Sequence, residues 1–339
     1  MPVRILKSFS RSCLWFAYAA ASLWAILALQ FDMPNVLGPV LAAVFVLVVI
    51  AAVLRICPKW KALAIWTACL ALVIGWWLTL APSNNANWQP DVARLPWSEL
   101  NGDHVTIHNV RNCDYRTELH YTPRWEDRSI DISQIQGVDL FIVHWGSPWI
   151  AHAILSFELP ADQYVAISVE ARKRVGQDYS ALRGFFRQYT LIYVVGEERD
   201  LVRLRTNFRK GEDVRLYRTR TTARDSQQLF LAYMHWINSL RNRPEWYNAL
   251  TTNCTSGIVK YLREEKIGGL PGFDWRTLLN GRGDEMLYQI GDLVTDGLSF
   301  SELQKRALIN PTAVQADDSP DFSKLIRVGR PGFTPASTP

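Results

Sequence analysis

Apolar and polar positions alternate along this chain in two regimes. Three long apolar runs, at 13–31, 36–54 and 62–81, contain no charged residue. Each approaches the roughly 20 residues that a helix needs to cross a bilayer. No comparable run follows position 82. The first run is longer than the ~7–15-residue apolar core of a cleaved leader, and two further spans follow it, so the reading is a three-span anchor. Arg4, Lys7 and Arg11 precede the first span, Arg55, Lys59 and Lys61 separate the second and third, and the loop between the first two holds only Asp32. Positive charge then puts the N-terminus and the 55–61 loop in the cytoplasm, and everything from about residue 83 outside. Trp76, Trp77 and Trp88 suit an interfacial aromatic belt, and 81–90 reads as the linker into an external domain.

Beyond the linker the apolar period falls to two. Residues 102–110 alternate, with Val105, Ile107 and Val110 as inward candidates. Residues 138–145 form a nearly continuous apolar run, as in a strand buried on both faces. Residues 151–159 and 164–172 alternate around Pro-Ala-Asp, which predicts a hairpin, and 190–196 predicts another buried strand. The turn-like 197–200 leads to 201–206 and 213–219, read as extensions of the sheet. Leu229, Phe230, Tyr233, Met234, Ile237 and Leu240 then recur at helical spacing, with Thr222 or Asp225 as N-cap. The expected class is α+β, an antiparallel sheet followed by helices, over residues 83–310 after an anchor at 1–82. Residues 311–339, rich in Pro, Asp and Ser, read as a flexible tail.

Composition narrows the function. At 48% hydrophobic and 20% charged the chain is neither disordered nor low-complexity. Its net charge of +5 is mild and scattered, with no nucleic-acid-binding motif, so no nucleic acid partner is expected. No Gly-rich phosphate loop or G-x-S-x-G elbow occurs. His104 and His108 lie on a strand pattern without accompanying ligands, so neither metal nor other cofactor is expected.

One stretch stands apart. In "YNALTTNCTSGIVKYL" (247–262), Thr, Asn and Ser residues start a short apolar helix and place Cys254 on its first turn. Unpaired backbone N–H groups there favour an anion, lowering a thiol pKa. A thiol nucleophile needs a base and an orienting group. His152 opens a strand directly after the loop "WGSPWIA", and the next strand offers Ser168 and Glu170. Glu170 is the stronger partner because a carboxylate stabilises imidazolium. Asn253 and Tyr247 flank the cysteine as supporting residues, and the Cys254 N–H is a candidate oxyanion donor. Two alternatives stand beside this: Cys254 as a packing residue, or a disulfide to Cys113, the other external cysteine. Arg183 and Arg187 form either a phosphate-binding rim or a solvated surface.

Segments 109–118, 152–159, 168–173, 179–206, 246–256 and 272–291, among them "NVRNCDYRTE", "WYNALTTNCTS" and "GFDWRTLLNGRGDEMLYQIG", together resemble the Lnb N-terminal periplasmic domain family of Gram-negative envelopes. The resemblance covers roughly 100–295 and excludes the anchor. It implies a permuted papain-like fold, with the His strand before a Cys-bearing helix. It also implies an inner-membrane protein whose C-terminal domain is periplasmic. By the same resemblance Cys254 is the nucleophile and His152 the base of a lipid acyltransferase, in its sharpest form a lipoprotein N-acyltransferase. Its partners are then inner-membrane phospholipid or a lipoprotein. A papain-like peptidase or amidase acting on peptidoglycan or envelope proteins, and a non-catalytic envelope binding module, remain the competing readings.

Overall fold

The computed structural model describes residues 2–34, 36–55, 58–252, 274–277 and 280–333, with side chains from residue 13 onward. The three apolar runs form helices α1 (Pro2–Asp32), α2 (Leu37–Arg55) and α3 (Lys59–Thr79). Cys13–Asp32, Leu37–Arg55 and Lys59–Thr79 are each long and apolar enough to cross a membrane. With no hydrophobic drive between helices in lipid, small residues and polar contacts do the packing. Gly38 abuts the Leu29 carbonyl, where an added Cβ would lie 2.6 Å from the oxygen. Trp66 Nε1 donates to Ser22 Oγ at 2.8 Å. The spans and Tyr179–Tyr189 form one compact unit; Asn84–Asp178 with Thr190–Pro339 forms a second.

The second unit is built on an eight-stranded sheet. Its strands are β1 (Trp97–Asn101), β2 (His104–Arg111), β5 (Trp125–Asp131), β6 (Gly137–Trp145), β7 (Ala151–Leu159), β8 (Gln163–Arg172), β9 (Thr190–Gly196) and β10 (Glu212–Arg218). The order is β1-β2-β9-β8-β7-β6-β10, with β5 also on β2. A separate two-stranded ribbon pairs β3 (Asp114–Tyr115) with β4 (Tyr121–Thr122). All pairs in the large sheet are antiparallel except β2–β9, which makes the sheet mixed. The 102–110 alternation holds with one shift. Asn109 adopts φ 60° at a bulge in the β2–β5 pairing, so Val110 rather than residue 109 joins Val105 and Ile107 in the core.

Both faces of the central strands are covered, which is why β6 and β9 read as continuous apolar runs. Helix α5 (Ala223–Asn242) lays Leu229, Phe230, Tyr233, Met234, Ile237 and Leu240 on one face, and Thr222 caps it by accepting from the Asp225 N–H. The other face carries Leu201, Val202, Ile309, Ala313, Phe322 and Ile326. The sequence reading of 201–206 as a strand is corrected here. Helix α4 (Glu198–Arg203) and a π-helical turn (Leu204–Phe208) occupy that stretch. Acidic Glu198 and Asp200 lie in the first helical turn, and Asp200 accepts from Arg111 and from the Cys113 N–H.

The expected tail is also corrected. Following α6 (Gly283–Gln289) and α7 (Phe300–Ala307), α8 (Asn310–Ala316) and α9 (Phe322–Leu325) pack on the sheet, with Ala313, Phe322 and Ile326 fully buried. Pro311 sits at the start of α8, where its missing N–H costs nothing. Arg327 reaches in to hold Asp139 at 2.8 Å and Glu198 at 2.6 Å, both fully buried. Trp88 lies in the second unit, where the Arg172 guanidinium sits 4.3 Å from its ring centre.

Removing the Arg327 charge takes from buried Glu198 the guanidinium it pairs with and leaves buried Asp139 with Arg218 alone. Arg327→Ala is expected to cost about 3–5 kcal/mol, read as a lowered denaturation midpoint by tryptophan fluorescence. An unchanged midpoint would mean that the Arg327 ion pairs add nothing to stability.

Candidate functional site

The site follows from strand register. In β7 and β8 Ile154 faces Ser168, and side chains two apart share a face, so His152 and Ile154 lie on the same side as Ser168 and Glu170. That side carries Ile154, Ala166 and the α4 and α9 contacts. His152 is 7% exposed. Its Nε2 lies 2.7 Å from Ser168 Oγ and 3.1 Å from Glu170 Oε1, while Ser168 Oγ donates to Glu170 Oε1 at 2.7 Å. Since a carboxylate can only accept, the consistent proton order runs Nε2–H to Ser168 and Ser168 O–H to Glu170. Sequence reasoning posed Ser168 and Glu170 as alternatives; the strand pleat brings both to the imidazole.

Arg205, which sequence reasoning missed, completes the group. From the π-helical turn its Nη2 donates to Glu170 Oε1 at 2.9 Å, and its Nη1 pairs with Glu212 at 3.2 Å. Burial pushes the Glu170 carboxyl up, but the charges of His152 and Arg205 and the bond to His152 outweigh it, holding the group well below the usual carboxylate range. A strand over 201–206 would give Arg205 no reason to be singled out, and no motif marks it.

The stretch "NGRGD" (280–284) acquires a positional role. Asn280 Oδ1 accepts from the Ala151 N–H at 3.0 Å, beside His152. The Gly281 N–H donates to Trp149 O at 3.1 Å. A Cβ at Gly281 would run into the Pro148 and Trp149 backbone, so only glycine admits this approach. Asp284, buried, accepts from Tyr217 OH at 2.7 Å and Gln304 at 3.2 Å. His144 bonds Gly281 O through Nε2 at 2.8 Å and Arg215 Nη1 through Nδ1 at 2.9 Å. A carbonyl only accepts and a guanidinium only donates, so in these two bonds Nε2 donates and Nδ1 accepts. A cavity of about 460 Å³ lies here, lined by His144, Arg215, Gly281, Arg282, Asp284 and Gln304 among others. By strand alternation His144 and His152 occupy opposite sheet faces.

Other expected site residues fall elsewhere. Cys254 and Asn253 lie outside the described residues. Tyr247 is partly buried against the core on the α5 face. Cys113 is a free, buried thiol, with its pKa pushed up to about 12 by burial and by the Asp200 charge, which argues against the disulfide alternative. Arg183 and Arg187 belong to the unit of the spans, where the Arg187 guanidinium stacks 3.9 Å from the Trp77 ring centre. Among the described residues no cluster of His, Cys, Asp and Glu forms a metal site.

Residues 121–281 match the family model of the Lnb N-terminal periplasmic domain, and the matched stretch follows the three apolar helices in the chain. The matched segment holds His152, Ser168, Glu170 and Arg205. No curated protein and no solved structure matches the chain.

Because the folded pKa of Glu170 is depressed, its stabilisation is fully present above its ordinary value of 4.5 and is lost as pH falls through the lower folded value. Glu170→Gln is therefore expected to cost on the order of 2 kcal/mol at pH 7, with the deficit shrinking below pH 4.5 in denaturation midpoints across pH. A pH-independent deficit would refute the ionised carboxylate. Gly281→Ala should cost about 1–3 kcal/mol by forcing the 148–150 backbone away, read in the same assay.

Proposed function

We propose, starting from an Lnb N-terminal periplasmic domain behind three apolar helices, that this chain is an inner-membrane Cys–His acyltransferase, its N-terminus cytoplasmic and its catalytic domain periplasmic. The observation that carries the reading is the His152–Ser168–Glu170–Arg205 chain. It commits the His152 Nε2 to orientation, so proton transfer is assigned to the other ring nitrogen, Nδ1. Such an arrangement supports a base whose imidazolium form is stabilised by an ionised carboxylate.

In this reading Nδ1 takes the Cys254 thiol proton and the thiolate attacks an acyl ester of a phospholipid or lipoprotein. Backbone N–H groups at the start of the helix that the sequence pattern predicts for Cys254 stabilise the oxyanion. The C–O bond breaks, the leaving alkoxide takes the proton from His152, and the acyl group remains on sulfur as a thioester. An amine, in the sharpest form the amino terminus of a lipoprotein, then attacks the thioester carbonyl and passes its proton to Nδ1. The C–S bond breaks, and the thiolate recovers that proton. Tethering beside lipid raises the effective concentration of acyl donor. A papain-like permuted topology is part of this proposal. If water or a peptide replaces these partners, the same groups make a peptidase or amidase.

Membranes containing the full chain are supplied with a phospholipid bearing an alkyne-tagged acyl chain. The tag is expected on the wild-type protein, released by neutral hydroxylamine, absent from Cys254→Ser, and formed about 10²–10⁴-fold more slowly in His152→Ala. Thiol-probe labelling of Cys254 without acyl transfer would move the peptidase or amidase ahead. No reactivity of either kind would leave Cys254 a packing residue.

A further inference from the structure

The segment Tyr179–Tyr189 connects β8 to β9, yet it groups with the spans rather than with the sheet. Its contacts explain why. A helix leaves its last four carbonyls without intrahelical partners, a serious cost near lipid. Arg187 Nη1 donates to Trp77 O and Leu80 O at the C-terminal end of α3. Gln188 Nε2 donates to Phe31 O at 2.6 Å and to Asp32 Oδ1 at 2.7 Å at the C-terminal end of α1. Trp77 Nε1 and the Arg187 N–H both donate to Asp32 Oδ2. Phe186 meets Phe31 edge-on, with ring centres 5.3 Å apart. The segment therefore caps two apolar helices at once and lies at the level where both reach the membrane surface.

At that level it presents apolar side chains outward. Leu182 is 49% exposed and Phe185 38%, on either side of Arg183 and the buried Gly184. Arg183 is exposed, makes no ion pair among the described residues, and lies 5.7 Å from the Phe31 ring centre at the end of α1. An apolar pair flanking a cation, at the ends of the apolar helices it caps, matches the interface of a bilayer. There the hydrocarbon edge accepts the apolar groups, and a phosphate accepts the guanidinium.

We propose that Tyr179–Tyr189 is an interfacial lipid-contacting element: Leu182 and Phe185 enter the leaflet at the C-terminal ends of α1 and α3, and Arg183 binds a lipid phosphate. This is separate from the Cys254 chemistry, and its test reads no activity. The full chain is reconstituted in phosphatidylcholine nanodiscs with a dansyl-bearing amino acid at position 182, where exposure tolerates the probe. Doxyl-labelled phosphatidylcholine is expected to quench the dansyl several-fold more than aqueous iodide does. Adding Arg183→Gln is expected to increase iodide access, while Arg183→Lys, which keeps the cation, is expected to leave it near the wild-type level. Dominant quenching by iodide, with none by the doxyl lipid, would overturn the insertion. Equal iodide access in the wild-type and Arg183→Gln chains would overturn the phosphate contact.

Discussion

Glu170 lies between the His152 imidazole on the neighbouring strand and the Arg205 guanidinium on the π-helical turn, and the candidate site depends on that placement. A carboxylate on a largely apolar sheet face pays desolvation, and it stays ionised only because opposite charge and hydrogen bonds exceed that cost. Once ionised it orders Ser168, and through Ser168 it orders His152. The chemistry proposed for Cys254 thus rests on a guanidinium that never needs to touch substrate. Arg205 is a positioning residue in this sense, and Glu212 shares its charge at 3.2 Å.

The surrounding fold keeps this group rigid from several directions. Asn280 binds the backbone of Ala151, next to His152, and Gly281 lets its own segment press against the 148–150 loop. Arg327 ties α9 to Asp139 of β6 and Glu198 of α4, the helix that leads into Arg205. A buried ion network of this kind is a weak source of net stability but a strict one, since losing a member leaves buried charge less fully paired. The same logic operates at the spans, where Arg187 and Gln188 satisfy carbonyls that lipid could not.

Much was legible from pattern. The three spans, the inward residues of β2, the β7–β8 hairpin and the apolar face of α5 follow directly from hydrophobic period. His152, Ser168 and Glu170 were legible as neighbours because pleat and hairpin register are local properties. Residues 201–206 were misread because Leu201, Val202 and Leu204 fit either period, and what decides for helix is Asp200 meeting Arg111 from a distant strand. The guanidinium of Arg172, far along the chain, lies over the Trp88 ring, a partner that position alone does not reveal.

Sequence by itself determined the division into apolar helices and a sheet-bearing domain, because bilayer thickness and strand pleat impose periods visible in any single chain. It also determined which histidine could meet a carboxylate across one hairpin. Tertiary structure alone decided that Arg205 guards that carboxylate, that Asn280 braces the histidine strand, and that residues 310–328 are core rather than tail. The reason is physical. Periodicity reports how a segment buries itself, whereas a buried charge is tolerated only where distant segments supply its partner, and nothing local records which segment that will be.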